Sequence, residues 1–149
     1  MDNNKTKVIS GKECKDALLQ GVNIMADAVS TTLGPRGCNV GISNATIRGE
    51  VYERKIVHDG VTVARSISLD DEIINFSAQI LKQAAQKQVD EVGDGTTVVM
   101  ILAQAIIQEC MQLIAAGINP MSLRKGLEDA TSELVKELET MATPIRGIK

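Results

Sequence analysis

The string Gly93-Asp94-Gly95-Thr96-Thr97 combines residue types that can bind a phosphate group and a metal ion. Glycines on both sides of Asp94 allow a sharp turn and a close approach of the backbone to a ligand. A helix starting at about Gly95 would offer unpaired N–H groups and a positive dipole end to an anion. Asp94 supplies the hard oxygen that Mg²⁺ prefers beside phosphate oxygens. The alternative is an ordinary helix start with Asp94 as N-cap and both threonines in the first turn.

Two long helical patterns flank this string and must position it. The first carries acids at its start, Asp70-Asp71-Glu72, and an amphipathic face whose apolar side comprises Ile74, Ser77, Ala78, Leu81 and Ala85. The second begins at about Gly95 and is apolar on nearly every side, with Val98, Val99, Ile101, Leu102, Ala105, Ile106, Leu113 and Ile114. Because a helix that is apolar all round is normally buried, we expect the second helix to lie at the centre of a larger body.

The remaining elements are three further helices and a hairpin. A capping box at Ser10-Gly11-Lys12-Glu13 predicts a first helix to about Thr31, which Leu33-Gly34-Pro35-Arg36-Gly37 ends. Short β-type runs at 39–42 and 51–57 predict a hairpin, and residues 61–65 a short apolar turn or helix. Asn119-Pro120 predicts the start of a last helix that ends before Thr143-Pro144. Its apolar seam is Leu123, Leu127, Ala130, Leu134, Leu138 and Met141. The predicted fold is mainly α, a long-helix bundle with a small β-hairpin.

Composition excludes several functions. The 149 residues are 44% hydrophobic and fit a single domain. Tyr52 and Phe76 are the only aromatic residues, which argues against the stacking platforms of single-stranded nucleic-acid binders. A net charge of −3 lacks the basic field that duplex nucleic acid or an anionic membrane attracts. We therefore expect neither nucleic acid nor membrane as a partner.

Cysteine and histidine chemistry is sparse. Cys14, Cys38 and Cys110 are widely spaced and form no CxxC pair, so neither a disulfide framework nor a zinc site is indicated. His58 is the only histidine. The N-terminus is polar with no apolar signal region behind it, and no apolar run approaches about 18 residues. These features predict a soluble, cytoplasmic protein.

Three loops together carry a resemblance to a known family. Thr32-Leu33-Gly34-Pro35-Arg36-Gly37, Asp59-Gly60-Val61-Thr62-Val63-Ala64-Arg65 and Gly93-Asp94-Gly95-Thr96-Thr97 occur in the order, and at nearly the spacings, of group I chaperonins of the GroEL type. The resemblance runs from about Lys7 to Pro144. It implies that residues 1–144 are the N-terminal half of an equatorial, ATP-binding domain, with 145–149 as the start of a hinge or a tail.

The resemblance also implies site residues. Thr32, Leu33, Gly34 and Pro35 match the loop that wraps the nucleotide, with Pro35 facing adenine; the alternative is a Gly-Pro helix stop. The three residues that follow Asp94 match the start of the family's phosphate-binding helix: Gly95, Thr96 and Thr97.

Two acids match acids of the family, and the implied cofactors follow from them. Asp94 matches the Mg²⁺ ligand. Asp59 matches the acid that helps position the attacking water, and its alternative is a turn acid before Gly60. The implied cofactors are ATP or ADP and Mg²⁺, with K⁺ as a further candidate. No Walker A string is present.

Three departures from the family pattern bear on affinity and assembly. His58 stands where the family usually has Lys, which gives a weaker, pH-dependent charge next to the nucleotide. Val98 replaces a third threonine and lacks its hydroxyl. The segment between Gly37 and Asp59 is a few residues longer than usual. The competing interpretation is a nucleotide-independent helical module that only assembles with other subunits, and His58 and Val98 favour it.

The implied function is ATP-driven protein folding in stacked homo-oligomeric rings. The family's intermediate and apical domains, and the segment with its water-activating aspartate, have no counterpart in these residues, so hydrolysis by this chain is an open question and clients would bind elsewhere. In the family, segments matching Lys7-Val8-Ile9 and residues 39–57 pair between subunits. We expect a chain that is not a stable monomer and whose association weakens when Asn44 to Arg54 are deleted.

Overall fold

The computed structural model describes Val8, residues 10–45 and residues 51–143. Over these residues the chain forms five helices and one antiparallel hairpin. In chain order the elements are α1 (Gly11–Ser30), β1 (Val40–Ala45), β2 (Val51–Val57), α2 (Gly60–Ser66), α3 (Glu72–Glu91), α4 (Thr96–Ala115) and α5 (Pro120–Met141). The predicted mainly α fold with a small hairpin is confirmed.

A purely aliphatic core joins α1, α2, α3 and the start of α4. Its fully buried members are Val22, Met25, Ala26, Val29, Val63, Ala64, Ala78, Leu81, Ala85 and Met100. The face predicted for α3 is the one that packs here, since Ser77, Ala78, Leu81 and Ala85 are all buried. Helix amphipathicity therefore identified the inner side of α3 correctly.

The hairpin pairs β1 and β2 in antiparallel register, from Val40 opposite Val57 to Ala45 opposite Val51. The register shifts between Asn44 and Ala45. Val40 and Val57, at the base of the hairpin, pack against the core. The two predicted strands are confirmed, whereas residues 46–50 of the predicted turn lie outside the described residues, as do Lys7, Ile9 and the predicted tail.

Helix starts were predicted with mixed success. Asn119 accepts a hydrogen bond from the Met121 N–H, with Pro120 as the first helical residue, as predicted. At α3 the N-cap is Asp71, which accepts from Ile73 and Ile74, so Asp70 precedes the helix instead of belonging to its first turn. The capping box at Ser10 is wrong: its side chain makes no capping hydrogen bond. Gly11 has a φ of +70°, and this left-handed backbone breaks the alignment that a capping box needs.

The chain divides into two compact units, residues 1–108 and 109–149, with the boundary inside α4. The first unit holds the whole core described above. In the second, α5 has no buried residue. The apolar seam predicted for α5 is open to solvent in this structure, with Leu134 and Leu138 each 63% exposed.

Among the described residues, α4 is the one helix long and apolar enough to cross a membrane by length and composition alone. The expectation that no apolar stretch approaches about 18 residues is therefore wrong for α4 taken as a whole. Of the residues of α4 only Thr96 and Met100 are buried, so the expectation that this helix lies at the centre of a body is not met within the described residues. In α4 the amides of Gln104 and Gln108 donate to α1, at Asn23 Oδ1 and, from Gln104, also at Asp27 Oδ1.

Candidate functional site

The Gly93-Asp94-Gly95 turn connects α3 to α4 and requires both of its glycines. Gly93 has a φ of +83° and Gly95 of +79°, a left-handed backbone that other residues adopt only with strain. The N–H groups of Val92 and Gly93 donate to the Gln88 carbonyl, at 2.9 and 3.2 Å. The Gln88 side-chain amide in turn donates to the Asp94 carbonyl at 2.9 Å. The last turn of α3 therefore fixes the position of this turn.

Asp94 presents an exposed carboxylate at the start of α4. One of its oxygens accepts a hydrogen bond from the Gly95 N–H at 2.6 Å, and no other described residue donates to it. Asp94 is not the N-cap, because it is the Gly95 carbonyl that accepts from the Val99 N–H, at 3.0 Å, to begin α4. The second carboxylate oxygen of Asp94 is free of described protein donors and can serve as a ligand.

The first turn of α4 also has free donors. Within the described part of the chain, no acceptor is present for the backbone N–H groups of Thr96, Thr97 and Val98. Such orphan groups at a helix start combine with the helix dipole to attract anions. Thr96 is buried, Thr97 is half-buried and Val98 is exposed.

Asp59 occupies the N-cap of α2. One oxygen accepts from the Val61 N–H at 3.2 Å, and the other accepts from the Thr62 N–H at 3.1 Å and the Thr62 hydroxyl at 2.8 Å. Partial burial opposes ionisation of this carboxyl, but these hydrogen bonds and the positive charge of Arg65 hold the pKa of Asp59 below its ordinary value. The alternative role for Asp59, an acid in the turn before Gly60, therefore corresponds in the structure to the N-cap of α2.

Hydrogen bonds connect the C-terminal end of α2 to α3. The Arg65 guanidinium donates to the Gln86 side-chain carbonyl at 2.7 Å. The Lys82 ammonium donates to the Ile67 carbonyl just beyond α2, and burial lowers the pKa of Lys82. Because α2 has only seven residues, these bonds also restrain the orientation of its cap, Asp59.

The predicted nucleotide loop at Thr32-Leu33-Gly34-Pro35 follows α1 directly. The Thr32 hydroxyl and N–H both donate to the Val29 carbonyl, at 2.7 and 3.0 Å, and the Leu33 N–H donates to Ser30. Gly34 has a φ of +77°, and its carbonyl accepts from the Gly37 N–H at 2.9 Å. Locally this is the helix stop named as the alternative, and it leaves Leu33 and Pro35 exposed.

Gly60 lies where the start of α2 meets the start of α4 and the end of α1. A Cβ on Gly60 would come within 3.0 Å of the Thr97 side chain of α4 and of the Val29 side chain of α1, so the three elements are closely packed there. The cap Asp59, the first turn of α4 and the end of α1 therefore lie close together in the first unit. His58 and Pro35 are exposed, and neither makes a hydrogen bond or ion pair with another described candidate residue.

Two features of the first unit cannot be predicted from motifs in the sequence. Gln88 belongs to no motif in the sequence, yet its side chain donates to the Asp94 carbonyl from the preceding helix. A surface cavity of about 400 Å³ lies along α1, lined by Asp16, Leu19, Gln20, Asn23, Ile24 and Asp27. None of the predicted site residues lines that cavity, so its presence adds nothing to the predicted site.

Comparison with known protein families gives a match over most of the chain. The model of the TCP-1/cpn60 chaperonin family matches residues 25–148. The matched region includes all three of the loops at residues 32–37, 59–65 and 93–97. Since the match covers well over half of the chain, this protein belongs to the TCP-1/cpn60 chaperonin family.

Proposed function

We propose that this chain binds a magnesium nucleotide, ATP or ADP, as the equatorial part of a GroEL-type chaperonin subunit. Family membership itself supports a chaperonin-type role in protein folding. The observation that carries the finer proposal is the Gly93-Asp94-Gly95 turn, which places a free carboxylate oxygen beside an uncapped helix start. Within five residues the chain thus offers a metal ligand and phosphate donors together.

Phosphate binding is assigned to the first turn of α4. The free N–H groups of Thr96, Thr97 and Val98 point out of the helix start, and the dipole adds a positive field there. Gly95 has no side chain, so a phosphate oxygen can approach the backbone closely. Val98 contributes only its N–H, because it lacks the hydroxyl that a third threonine would supply.

The metal assignment fits the donors that are present. No group of three or more His, Cys, Asp or Glu side chains within the described residues could cage a metal ion. Asp94 would therefore hold Mg²⁺ as its single carboxylate ligand, with nucleotide phosphate oxygens and water completing the shell. Mg²⁺ is commonly bound in this way, through one or two carboxylates and the substrate's phosphates. Bound there, Mg²⁺ would neutralise phosphate charge.

The roles of the other residues follow from their positions. Asp59 would help to orient an attacking water, although hydrogen bonds from Val61 and Thr62 already engage both of its oxygens. Its lowered pKa makes Asp59 a weak base, so its role would be to accept a hydrogen bond from the water rather than to take its proton. Thr32, Leu33, Gly34 and Pro35 would line the nucleoside side, with His58 next to Asp59. K⁺ is a further candidate ion for the phosphate region.

Assembly and location complete the proposal. At family level, chaperonin subunits assemble with one another. We propose that this chain takes part in a homo-oligomeric ring, in the cytoplasm, without nucleic acid or membrane as a partner. The exposed apolar residues of α4, including Leu102 at 55% and Ile106 at 48%, suit burial against protein in such an assembly.

Isothermal titration of the 149-residue chain with Mg-ATP and Mg-ADP tests the proposal. Asp94→Asn keeps the bond from the Gly95 N–H but removes the charge, so we expect affinity for Mg-ATP to fall at least tenfold, with a smaller loss for metal-free ATP. Asp90→Asn, an exposed change of equal charge at the end of α3, is the matched control. Equal affinities of wild type and Asp94→Asn would reject the metal assignment.

A second candidate function is a nucleotide-independent assembly module of the same family. The exposed apolar surface of α4 favours it, together with the absence of the third hydroxyl at Val98. A wild-type chain that associates but shows no heat of binding with either nucleotide would select this candidate.

A further inference from the structure

We infer that Gly60 is a positioning residue of the proposed nucleotide site, which sets the spacing between Asp59 and the first turn of α4. The inference rests on the proposed function, because the site whose spacing matters is the nucleotide site. It assigns a role to a residue that binds nothing itself.

Gly60 is buried at the start of α2, and space, not backbone conformation, is what requires a glycine there. A Cβ on Gly60 would lie 2.1 Å from Thr97 Oγ1, 2.9 Å from Val29 Cγ1 and 3.3 Å from Thr97 Cβ. Real Cβ atoms essentially never approach another heavy atom within 3.0 Å. Any side chain at position 60 must therefore push its neighbours apart.

The neighbours cannot easily yield. Thr97 is β-branched, so its χ1 is restricted within a helix. Val29 is fully buried in the aliphatic core, where close packing resists displacement. A Cβ at position 60 would therefore force apart the start of α2 and Thr97, which lies in the first turn of α4 beside the proposed phosphate donors.

Such a movement would change the distance between the two candidate acids. Asp59 is bonded to the N–H groups of Val61 and Thr62 and moves with α2, whereas Asp94 is bonded to Gly95 and moves with α4. Raising the 2.1 Å approach to an ordinary contact of 3.4 Å takes a movement of at least 1.3 Å. A misplacement of that size at a reacting group can cost on the order of 100-fold in rate.

The test compares four variants of the 149-residue chain. Gly60→Ala introduces the clash, and Gly41→Ala is the control, because a Cβ at Gly41 meets nothing within 4 Å. Adding Thr97→Ala to Gly60→Ala removes the Oγ1 contact, whereas adding Thr97→Val keeps an atom in its place. Two quantities are measured: affinity for Mg-ADP, and amide hydrogen exchange of Val61, Thr62 and Val99 without nucleotide.

We expect Gly60→Ala to weaken Mg-ADP binding at least tenfold and to speed exchange of these three amides, while Gly41→Ala changes neither. Protection should return in part in Gly60→Ala/Thr97→Ala, which leaves the 2.9 Å approach to Val29 Cγ1, and stay lost in Gly60→Ala/Thr97→Val. If Gly60→Ala alone does not fold, the two double variants still give the comparison.

Unchanged Mg-ADP affinity in a folded Gly60→Ala protein would overturn the inference, since Gly60 would then be a packing residue only. Equal exchange in the two double variants would overturn the assigned contact. A wild-type chain that binds no Mg-ADP is a different result: it rejects the proposed function, and with it the role of Gly60 there, while the exchange data still report the contact.

Discussion

Gly21 of α1 lies so close to α3 that a Cβ on it would come within 2.2 Å of the Ile74 carbonyl oxygen. Ser77 Cβ would be 2.8 Å from the same added atom. The backbones of α1 and α3 thus lie in close contact at this point. The same helices carry Asp94's supporting residue Gln88 and the loop that begins at Thr32, so their spacing underlies the candidate site.

We predict that Gly21→Ala lowers the free energy of unfolding by about 1–3 kcal/mol, the usual cost of overpacking a core. Gly126→Ala is the matched control, because it is also a mid-helix glycine but a Cβ there meets nothing within 4 Å. The control should instead stabilise α5 by about 0.5–1 kcal/mol, since alanine favours helix more than glycine does. Urea unfolding followed by circular dichroism measures both, and an unaffected Gly21→Ala protein would contradict the backbone contact.

Asp59→Ala should cost about 0.5–2 kcal/mol of stability, because it removes the N-cap of α2. Asp59→Asn should cost less at neutral pH, since an amide oxygen can still accept from the N–H groups of Val61 or Thr62. Thermal unfolding of the two variants beside wild type makes the comparison. Equal losses in both variants would show that capping is not what Asp59 contributes.

The same carboxyl predicts a pH dependence. The pKa of Asp59 is lower in the folded protein than its ordinary value of 3.8, so its ionised form stabilises the fold above that value. This contribution is lost as the pH falls through the lowered, folded pKa. The stability difference between wild type and Asp59→Asn should therefore be constant from neutral pH to about pH 5 and shrink below about pH 4. A difference that grows on acidification would contradict the direction of the shift.

Gly93→Ala and Gly95→Ala should each lose about 1–2 kcal/mol, because both positions have positive φ. No described atom lies within 4 Å of a Cβ at Gly93, so backbone strain alone accounts for that loss. Gly93→Asn should lose less, since asparagine tolerates the left-handed region better than alanine does. Differential scanning calorimetry resolves the three variants, and Gly93→Asn no better than Gly93→Ala would argue against strain as the cause.

The exposed seam of α5 predicts association. Leu134 and Leu138 lie a turn apart and are each 63% exposed, so we expect Leu134→Ser/Leu138→Ser to reduce self-association of the chain severalfold. Lys125→Ser is the control, since nine residues at about 100° each place Lys125 opposite Leu134 on the helix. Light scattering at micromolar concentration reports the mass. If the double variant and the control associate equally, the seam is not the contacting surface.

Local patterns predicted much of this fold. The inner face of α3, the cap at Asn119 and both strands follow from side-chain period and turn chemistry, which act over a few residues. The capping box predicted at Ser10 is wrong because the left-handed backbone of Gly11 cannot be recognised from the capping-box pattern. The candidate residues came from a resemblance between loops. The contact of Gly60 with Thr97, and the support that Gln88 gives Asp94, depend on packing between elements far apart in sequence, which no local pattern encodes.

The distribution of the core along the chain has a consequence for synthesis. All but one of the fully buried apolar residues lie between Val22 and Ala85, and the exception is Met100. Since chains fold from the N-terminus as they leave the ribosome, α1, α2 and α3 can pack together before α4 has emerged. Arrival of Met100 would then dock the start of α4 on a nearly finished core. In this order of folding, the turn that carries Asp94 takes its shape only after α1, α2 and α3 have packed, because it connects them to α4.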